Sequence, residues 1–330
     1  MQNQMSDSIG IAVNGNIDIY DGEQFRTIAG LEGSAEIALY DCSPNLGEQR
    51  VYSPNNPPPS GMIIDSPTTF NIPMNFSDIY SVLDYLKNYL IRADITIQFE
   101  DGIYNIDEPI SIPPMIISSN VFINIQGNSS DKSAVTIKTN SNVDAFYLDG
   151  ISNKIKIAYL TIDGNNMGMY GINSTHSSGA LFIENCDIKN FVSVGIGTDG
   201  STGLIYVNDP ISISNCQTGI LLLRNGQLRL NANMAFNNCS SRFIYLSHGS
   251  LLSAVSNISV SMIGPSATAI FTEYLSMVNF PSNTVNMSGS ITAAVNCTSS
   301  SYVQLVGGTV VGTFSPAINT VGNYNSFIRR

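Results

Sequence analysis

Charge is what this 330-residue chain has least of: only 12% of its residues are Asp, Glu, Lys or Arg, about half the usual share of a soluble domain. Small neutral groups take over solvation, with abundant Asn, Ser and Thr and 27 Gly. A disordered chain couples high charge to low hydrophobicity, and that reading is excluded because 43% of residues are hydrophobic. Asn and Gly accept the left-handed conformations that tight turns demand, so the mixture suits many short strands joined by turns.

Basic residues are also scarce. The formal net charge is −11, and 23 of the 25 acids lie in residues 1–200. Residues 201–330 hold Asp209 and Glu273 against Arg224, Arg229, Arg242, Arg329 and Arg330. Phosphate contacts need clustered Lys or Arg, so nucleic-acid binding is set aside. No apolar run approaches the roughly 20 residues that span a bilayer, and no membrane insertion is expected. The opening MQNQMSDSIG is polar and has no basic–apolar secretory pattern. Five cysteines, an odd number with no C-x-x-C pair, argue against a disulfide framework and against a metal site. Cys186, Cys216, Cys239 and Cys297 each follow an Asn. They are expected as small buried hydrophobes in a protein made in a reducing cytoplasm, with no cofactor.

Residues 1–56 alternate in short apolar runs, IGIAV, NIDIYDG and EIALYD, separated by turn signals, which predicts a small β domain. SPNNPPPSGM at residues 53–62 reads as a stiff, extended spacer. The predicted organisation is a β domain over 1–56, a Pro-rich neck over 57–75, and the remainder from 76 to 330. That remainder opens with a helix, since Ile79, Val82, Leu83, Leu86 and Leu90 keep helical spacing. Ser77 can cap it, with Asp78 in the first turn and Lys87 and Arg92 toward its end, in agreement with the helix dipole. ITIQFEDGIYNI then reads as strand, Asp-Gly turn and strand.

From there on the governing signal is a repeat. Apolar strands recur around Ile172, Ile196, Ile220, Phe243, Ile270, Val295 and Ile318, at steps of 24, 24, 23, 27, 25 and 23 residues. A second series, Ile157, Leu181, Ile205, Leu228, Leu251, Val278 and Val303, keeps a similar step. A lasting period of this length with strands but no helix predicts a β-solenoid, whereas an antiparallel sandwich would show turns every 8–12 residues. Each repeat is one coil of about three strands, with eight or nine coils expected. Leu, Ile, Val and Phe point inward, and Asn, Ser and Thr form ladders at the turns. The helix would cover the open end of the first coil.

FSDIYSVLDYLKNYLIRADITIQFEDGIYNIDEPISI, with VFINIQG and LTIDG after it, resembles the opening of the pectin-lyase-like right-handed parallel β-helix, most closely as bacteriophage tailspikes carry it. The resemblance rests on the helix, the turn Glu100-Asp101-Gly102-Ile103-Tyr104 and an I-x-I-x-G strand. It implies an all-β fold with an N-terminal capping helix, and a homotrimer of rods. In that layout residues 1–56 attach to the virion, through a tail or portal-proximal adaptor protein, and the rod binds host surface glycan.

Many proteins of that kind cleave polysaccharide, which makes paired carboxylates the catalytic candidates. A glycosidase needs two, about 5–9.5 Å apart, and neighbouring coils can supply them. Asp163 and Asp187, 24 residues apart, are the expected stacked pair, with Asp199 further along. Thr198-Asp199-Gly200 is similar to part of the polygalacturonase Asn-Thr-Asp motif, and Ser247-His248-Gly249 to its Gly-His-Gly. Gly197 replaces the Asn, however, the Asp-Asp pair is missing and no Arg-Ile-Lys follows. A pectate-lyase mechanism lacks calcium ligands near Arg224 and Arg229, and no nucleophile elbow supports a Ser-His-Asp esterase. No catalytic residue is therefore assigned. Tyr170, Tyr206, Tyr245 and Tyr274 are glycan-binding candidates, since rings pack on sugar faces beside amides and hydroxyls.

These readings lead to one expectation: a trimeric tailspike, assembled in the host cytoplasm and carried on the virion tail, that binds host glycan. A depolymerase using Asp163 and Asp187, and a capsid head fibre or decoration protein, are the alternatives.

Overall fold

The computed structural model describes residues 63–329 except 114, 119, 201, 202, 256, 282, 306–312 and 316–325, together with the backbone of five strands between residues 10 and 51. The chain divides into two compact units, Met1–Ile63 and Ile64–Arg330. In the first, Gly10–Ile11, Ile17–Tyr20 and Phe25–Ile28 form an antiparallel sheet, and Ile37–Tyr40 pairs antiparallel with Glu48–Val51.

The second unit is a parallel β-solenoid of about ten turns. Its strands form because apolar residues alternate with polar ones, so that one side of each strand is buried. In Ile95–Phe99, for example, Ile95, Ile97 and Phe99 are buried while Thr96 and Gln98 are partly exposed. Successive turns of the chain stack their strands into three long parallel sheets. The first has eleven strands, from Thr68–Ile72 to Phe327–Arg329. The second has eight, from Gly102–Ile106 to Thr284–Ser288. The third has nine, from Ile110–Ser111 to Thr313–Ser315.

About ten turns take the place of the eight or nine coils expected; of the neck expected over 57–75, residues 57–62 lie outside the described residues and the later part joins the solenoid. Thr68–Ile72, between Pro67 and Pro73, is already a rung, paired in register with Ile95–Phe99. The earliest turns escaped the repeat signal because their corners vary in length. Ile95, Ile123 and Ile155 face one another on successive rungs, although they lie 28 and 32 residues apart.

Further along, the periodic markers hold with local slips. Ile172, Ile196, Ile220, Ile244, Ile270 and Val295 stack in one inward column, so the rung is Ile244 rather than Phe243. Phe243 is buried as well, one position earlier, where preceding coils carry glycine. A Cβ at Gly195 would lie 2.5 Å from Ile213 Cγ2, and one at Gly219 would lie 2.6 Å from Phe236 Cδ1. Glycine there makes room for the interior side chains of the second sheet. Leu252 rather than Leu251, and Ile155 rather than Ile157, are likewise the true rungs of the first sheet. Ile318 lies outside the described residues.

The helix is shorter than its spacing suggested. It runs over Ile79–Leu86 and buries Ile79, Val82, Leu83 and Leu86 in the core of the solenoid end. Asp78, not Ser77, is its N-cap: the Asp78 carboxylate accepts from the Ser81 N–H at 2.8 Å, and Ser77 Oγ donates to Asp78. Leu90 belongs to a short strand, Leu90–Ile91, so neither it nor Arg92 is helical.

Asparagine at the corners has a backbone reason. Asn185, Asn215 and Asn238 hold φ of 47°, 54° and 55°, a left-handed conformation that Asn tolerates better than other residues with a Cβ. The chain then turns inward, and the next residue in each case is a buried cysteine, Cys186, Cys216 or Cys239. Burial pushes these thiols up to about 12, 11 and 12 respectively. Cys42 lies outside the described residues.

Candidate functional site

The register of the second sheet corrects the expected stacking of Asp163 on Asp187. Asp163 faces Lys189, and Asp187 faces Thr161, which leaves the two carboxylates offset by two residues. Aligning the segments on their aspartates misplaces the rung, because Thr161 and Asp187 are the equivalent positions. Asp163 accepts from the Asn165 N–H at 2.8 Å and from Asn190 Nδ2 at 2.9 Å, with Lys189 Nζ 4.0 Å away. Asp187 pairs with Lys132 at 2.8 Å and accepts the Ser212 hydroxyl at 2.6 Å. Asp199 lies on the third sheet and is held by both the Nε and a terminal nitrogen of Arg224. Each of the three carboxylates therefore faces a cation.

A carboxylate that sequence reading missed is Asp144, just before the third-sheet strand Phe146–Asp149. Burial raises its carboxyl above the usual range, opposed by hydrogen bonds from the Asn173 side chain, at 2.8 Å, and from the Tyr170 backbone. The Tyr170 phenol is raised too, by its own burial and then by Asp144. Its ring lies over Gly197, where a Cβ would come within 2.7 Å of Tyr170 Cε1. Gly197, which breaks the polygalacturonase pattern, is thus the gap that admits the ring. Nothing in the local sequence around Asp144 marks it, since Tyr170 and Asn173 arrive from the next coil.

The four tyrosine candidates do not form one surface. Tyr206 is on the first sheet, stacked on Phe182 with centroids 4.9 Å apart and planes 8° from parallel. Tyr170 and Tyr245 stand on the outer side of the third sheet, and Tyr274 stands at the corner that follows it.

Around Tyr245 the side chains are tightly organised. The Arg242 guanidinium sits 4.4 Å from the Tyr245 ring and 4.8 Å from that of Phe271, close enough for cation–π attraction. Tyr245 donates its hydroxyl to Glu273 at 2.6 Å, and Ser247 Oγ reaches the same carboxylate oxygen at 3.1 Å. The Tyr245 phenol is raised by burial and then by its bond to Glu273. Ser247 Oγ also lies 2.6 Å from His248 Nδ1. This is not the wiring of a hydrolytic triad, in which the carboxylate holds the histidine and the hydroxyl is open to substrate. Here the carboxylate takes the hydroxyl itself, and Ser247 is only 1% exposed.

Next to this network, His248 stacks on Tyr274 with centroids 4.6 Å apart, and Tyr274 is 49% exposed. Both hold left-handed backbone, φ 55° and 51°. His176 occupies the same corner three coils earlier, where its Nδ1 lies 3.1 Å from Asp149. No family model, curated protein or solved structure matches this chain. The chemistry therefore has to be read from the side chains. A half-exposed ring backed by a second ring, beside Glu273 and on a rigid parallel stack, can hold the C–H face of a sugar while neighbouring polar groups bond its hydroxyls. Among the described residues, no three His, Cys, Asp or Glu side chains gather to hold a metal ion.

Proposed function

We propose that this protein is a bacteriophage tailspike, a virion structural protein whose solenoid binds host surface glycan during adsorption. The observation that carries the reading is the His248–Tyr274 ring platform at a solenoid corner. The parallel β-solenoid is compatible with a pectin-lyase-like β-helix, and the capping helix and Asp-Gly turn supply the resemblance to tailspikes. In this reading the rod is a homotrimer and residues 1–56 dock to an adaptor protein on the tail. Three shallow sites on one particle can raise apparent binding by 10²–10⁴-fold, so no single site has to be deep.

Titration of the full chain against host lipopolysaccharide or capsule tests this. Tyr274→Ala is expected to weaken binding roughly 2- to 10-fold, the worth of one ring contact, with a solution mass three times that of the chain. A monomeric mass, or no binding by the wild-type chain, overturns it.

A depolymerase is the second reading, and Asp144 is what favours it, because burial raises its carboxyl, the direction that suits a general acid. New reducing ends from host polysaccharide, lost in Asp144→Ala, would support it; intact polysaccharide would overturn it.

A further inference from the structure

A second surface lies at the corner between the second and third sheets. Asn190, Asn215 and Asn238 occupy equivalent positions there, all with left-handed backbone, and their side chains form a ladder. Asn190 Nδ2 donates to Asp163 at 2.9 Å, Asn215 Nδ2 to Asn190 Oδ1 at 3.0 Å, and Asn238 Nδ2 to Asn215 Oδ1 at 3.4 Å. The ladder stops at the next coil, where a Cβ on Gly264 would lie 2.3 Å from Asn238 Oδ1. A carboxamide has two N–H groups, and the ladder uses one of each. The second N–H on each rung has no protein partner among the described residues. Donors therefore repeat along the rod at the inter-strand spacing of about 4.8 Å.

A groove of about 360 Å³ lies beside two of these rungs, with Asn215 and Asn238 in its lining. Its apolar side is made by Phe191, which is buried, and Val192, which is 46% exposed. Gln217 adds a further amide, and no charged side chain lines the groove. An isopropyl group held in water beside a fixed row of amide donors suits a ligand with one apolar face and regularly spaced acceptor oxygens. Peptide addition as an extra strand does not fit, because the corner backbone N–H groups of Asn190, Asn215 and Asn238 already bond the next coil.

We propose that this groove binds an uncharged glycan strand lying along the rod, its oxygens accepting from the asparagine row and its C–H face resting on Val192. A carboxylated or sulfated sugar would find no cation among the groove's lining residues to offset its desolvation. The inference rests on the reading of the rod as a glycan receptor, but it uses a different surface from the Tyr274 platform.

The test is saturation-transfer NMR on the full chain with neutral gluco-, galacto-, manno- and rhamno-oligosaccharides, alongside uronate-containing oligosaccharides. Wild-type protein is expected to bind at least one neutral oligosaccharide and to bind the uronates more weakly. Val192→Trp, which fills the groove, is expected to reduce the affinity more than tenfold, and Gln217→Ala to reduce it several-fold with unchanged melting temperature. Neutral binding that stays within twofold in both variants overturns the groove but leaves the receptor reading standing. Tighter binding of the uronates overturns the ligand class. No glycan bound by wild type, on the panel or on host polysaccharide, overturns both the groove and the receptor reading.

Discussion

Asn215 donates an amide N–H to the side-chain oxygen of Asn190 one coil earlier, at 3.0 Å, and both residues hold a left-handed backbone. One residue type thus answers two demands of the corner: it tolerates φ near 54°, and it ties successive turns together.

The two roles are separable by substitution. Asn215→Gly keeps the backbone and removes the ladder bonds; Asn215→Ala removes the bonds and adds left-handed strain of about 1–2 kcal/mol. Both are expected to destabilise in urea unfolding, with Ala worse than Gly by about 1 kcal/mol. Equal losses would show that the corner backbone carries no strain.

At the solenoid end, Leu83 and Leu86 are 3% and 0% exposed. Either residue replaced by Asp would bury an unpaired carboxylate and uncover the first coil. Aggregation on expression is expected. Asp78→Ala should cost only the cap, about 1 kcal/mol, and remain soluble. A soluble Leu86→Asp protein with wild-type melting would sink the capping role of the helix.

Leu275 is the reverse case, a leucine at φ 63° with 73% of its surface exposed. Leu275→Gly relieves left-handed strain and removes exposed apolar surface. Relief of left-handed strain, about 1–2 kcal/mol, is partly offset by the freedom that glycine gives the unfolded chain, and a net gain of up to about 1 kcal/mol is expected. A loss measured in the isolated chain would mean that Leu275 makes contacts that its exposure does not suggest.

The cysteines give a chemical readout. Native protein treated with iodoacetamide at pH 8 is expected to leave Cys186, Cys216, Cys239 and Cys297 unmodified, because each is buried and its thiol is held above its ordinary value. All should react after unfolding in guanidinium, as peptide mass mapping can check. Rapid native labelling of Cys216 would mean that the Asn215 corner opens.

Asp144 carries a pH dependence whose sign follows from its raised carboxyl. Folding favours the protonated form, so the stabilising contribution is complete below the unfolded value and is lost as pH rises through the folded one. Asp144→Asn, which keeps an acceptor for Asn173, should melt at or above wild type at pH 7. That advantage should shrink toward pH 3. A variant less stable at pH 7 than at pH 3, relative to wild type, would show that the ionised carboxylate is the favoured form in the fold.

Sequence alone determined the winding. Inward apolar residues at a lasting step of about two dozen positions leave few ways to bury them except stacked coils, and the columns through Ile196 and Ile205 were legible for that reason. Burial of the cysteines was legible too, but that three of the four Asn-Cys pairs sit at left-handed corners while Asn296-Cys297 lies within a strand shows only in the fold. The tertiary structure decided the register. A corner can gain or lose one or two residues without disturbing the hydrophobic pattern, and such slips put Lys189, not Asp187, opposite Asp163 and made Ile244 the rung instead of Phe243. For the same reason the groups around Asp144, Glu273 and Val192 could not be read from the chain: each gathers from separate coils, and only the registered stack fixes which side chains meet.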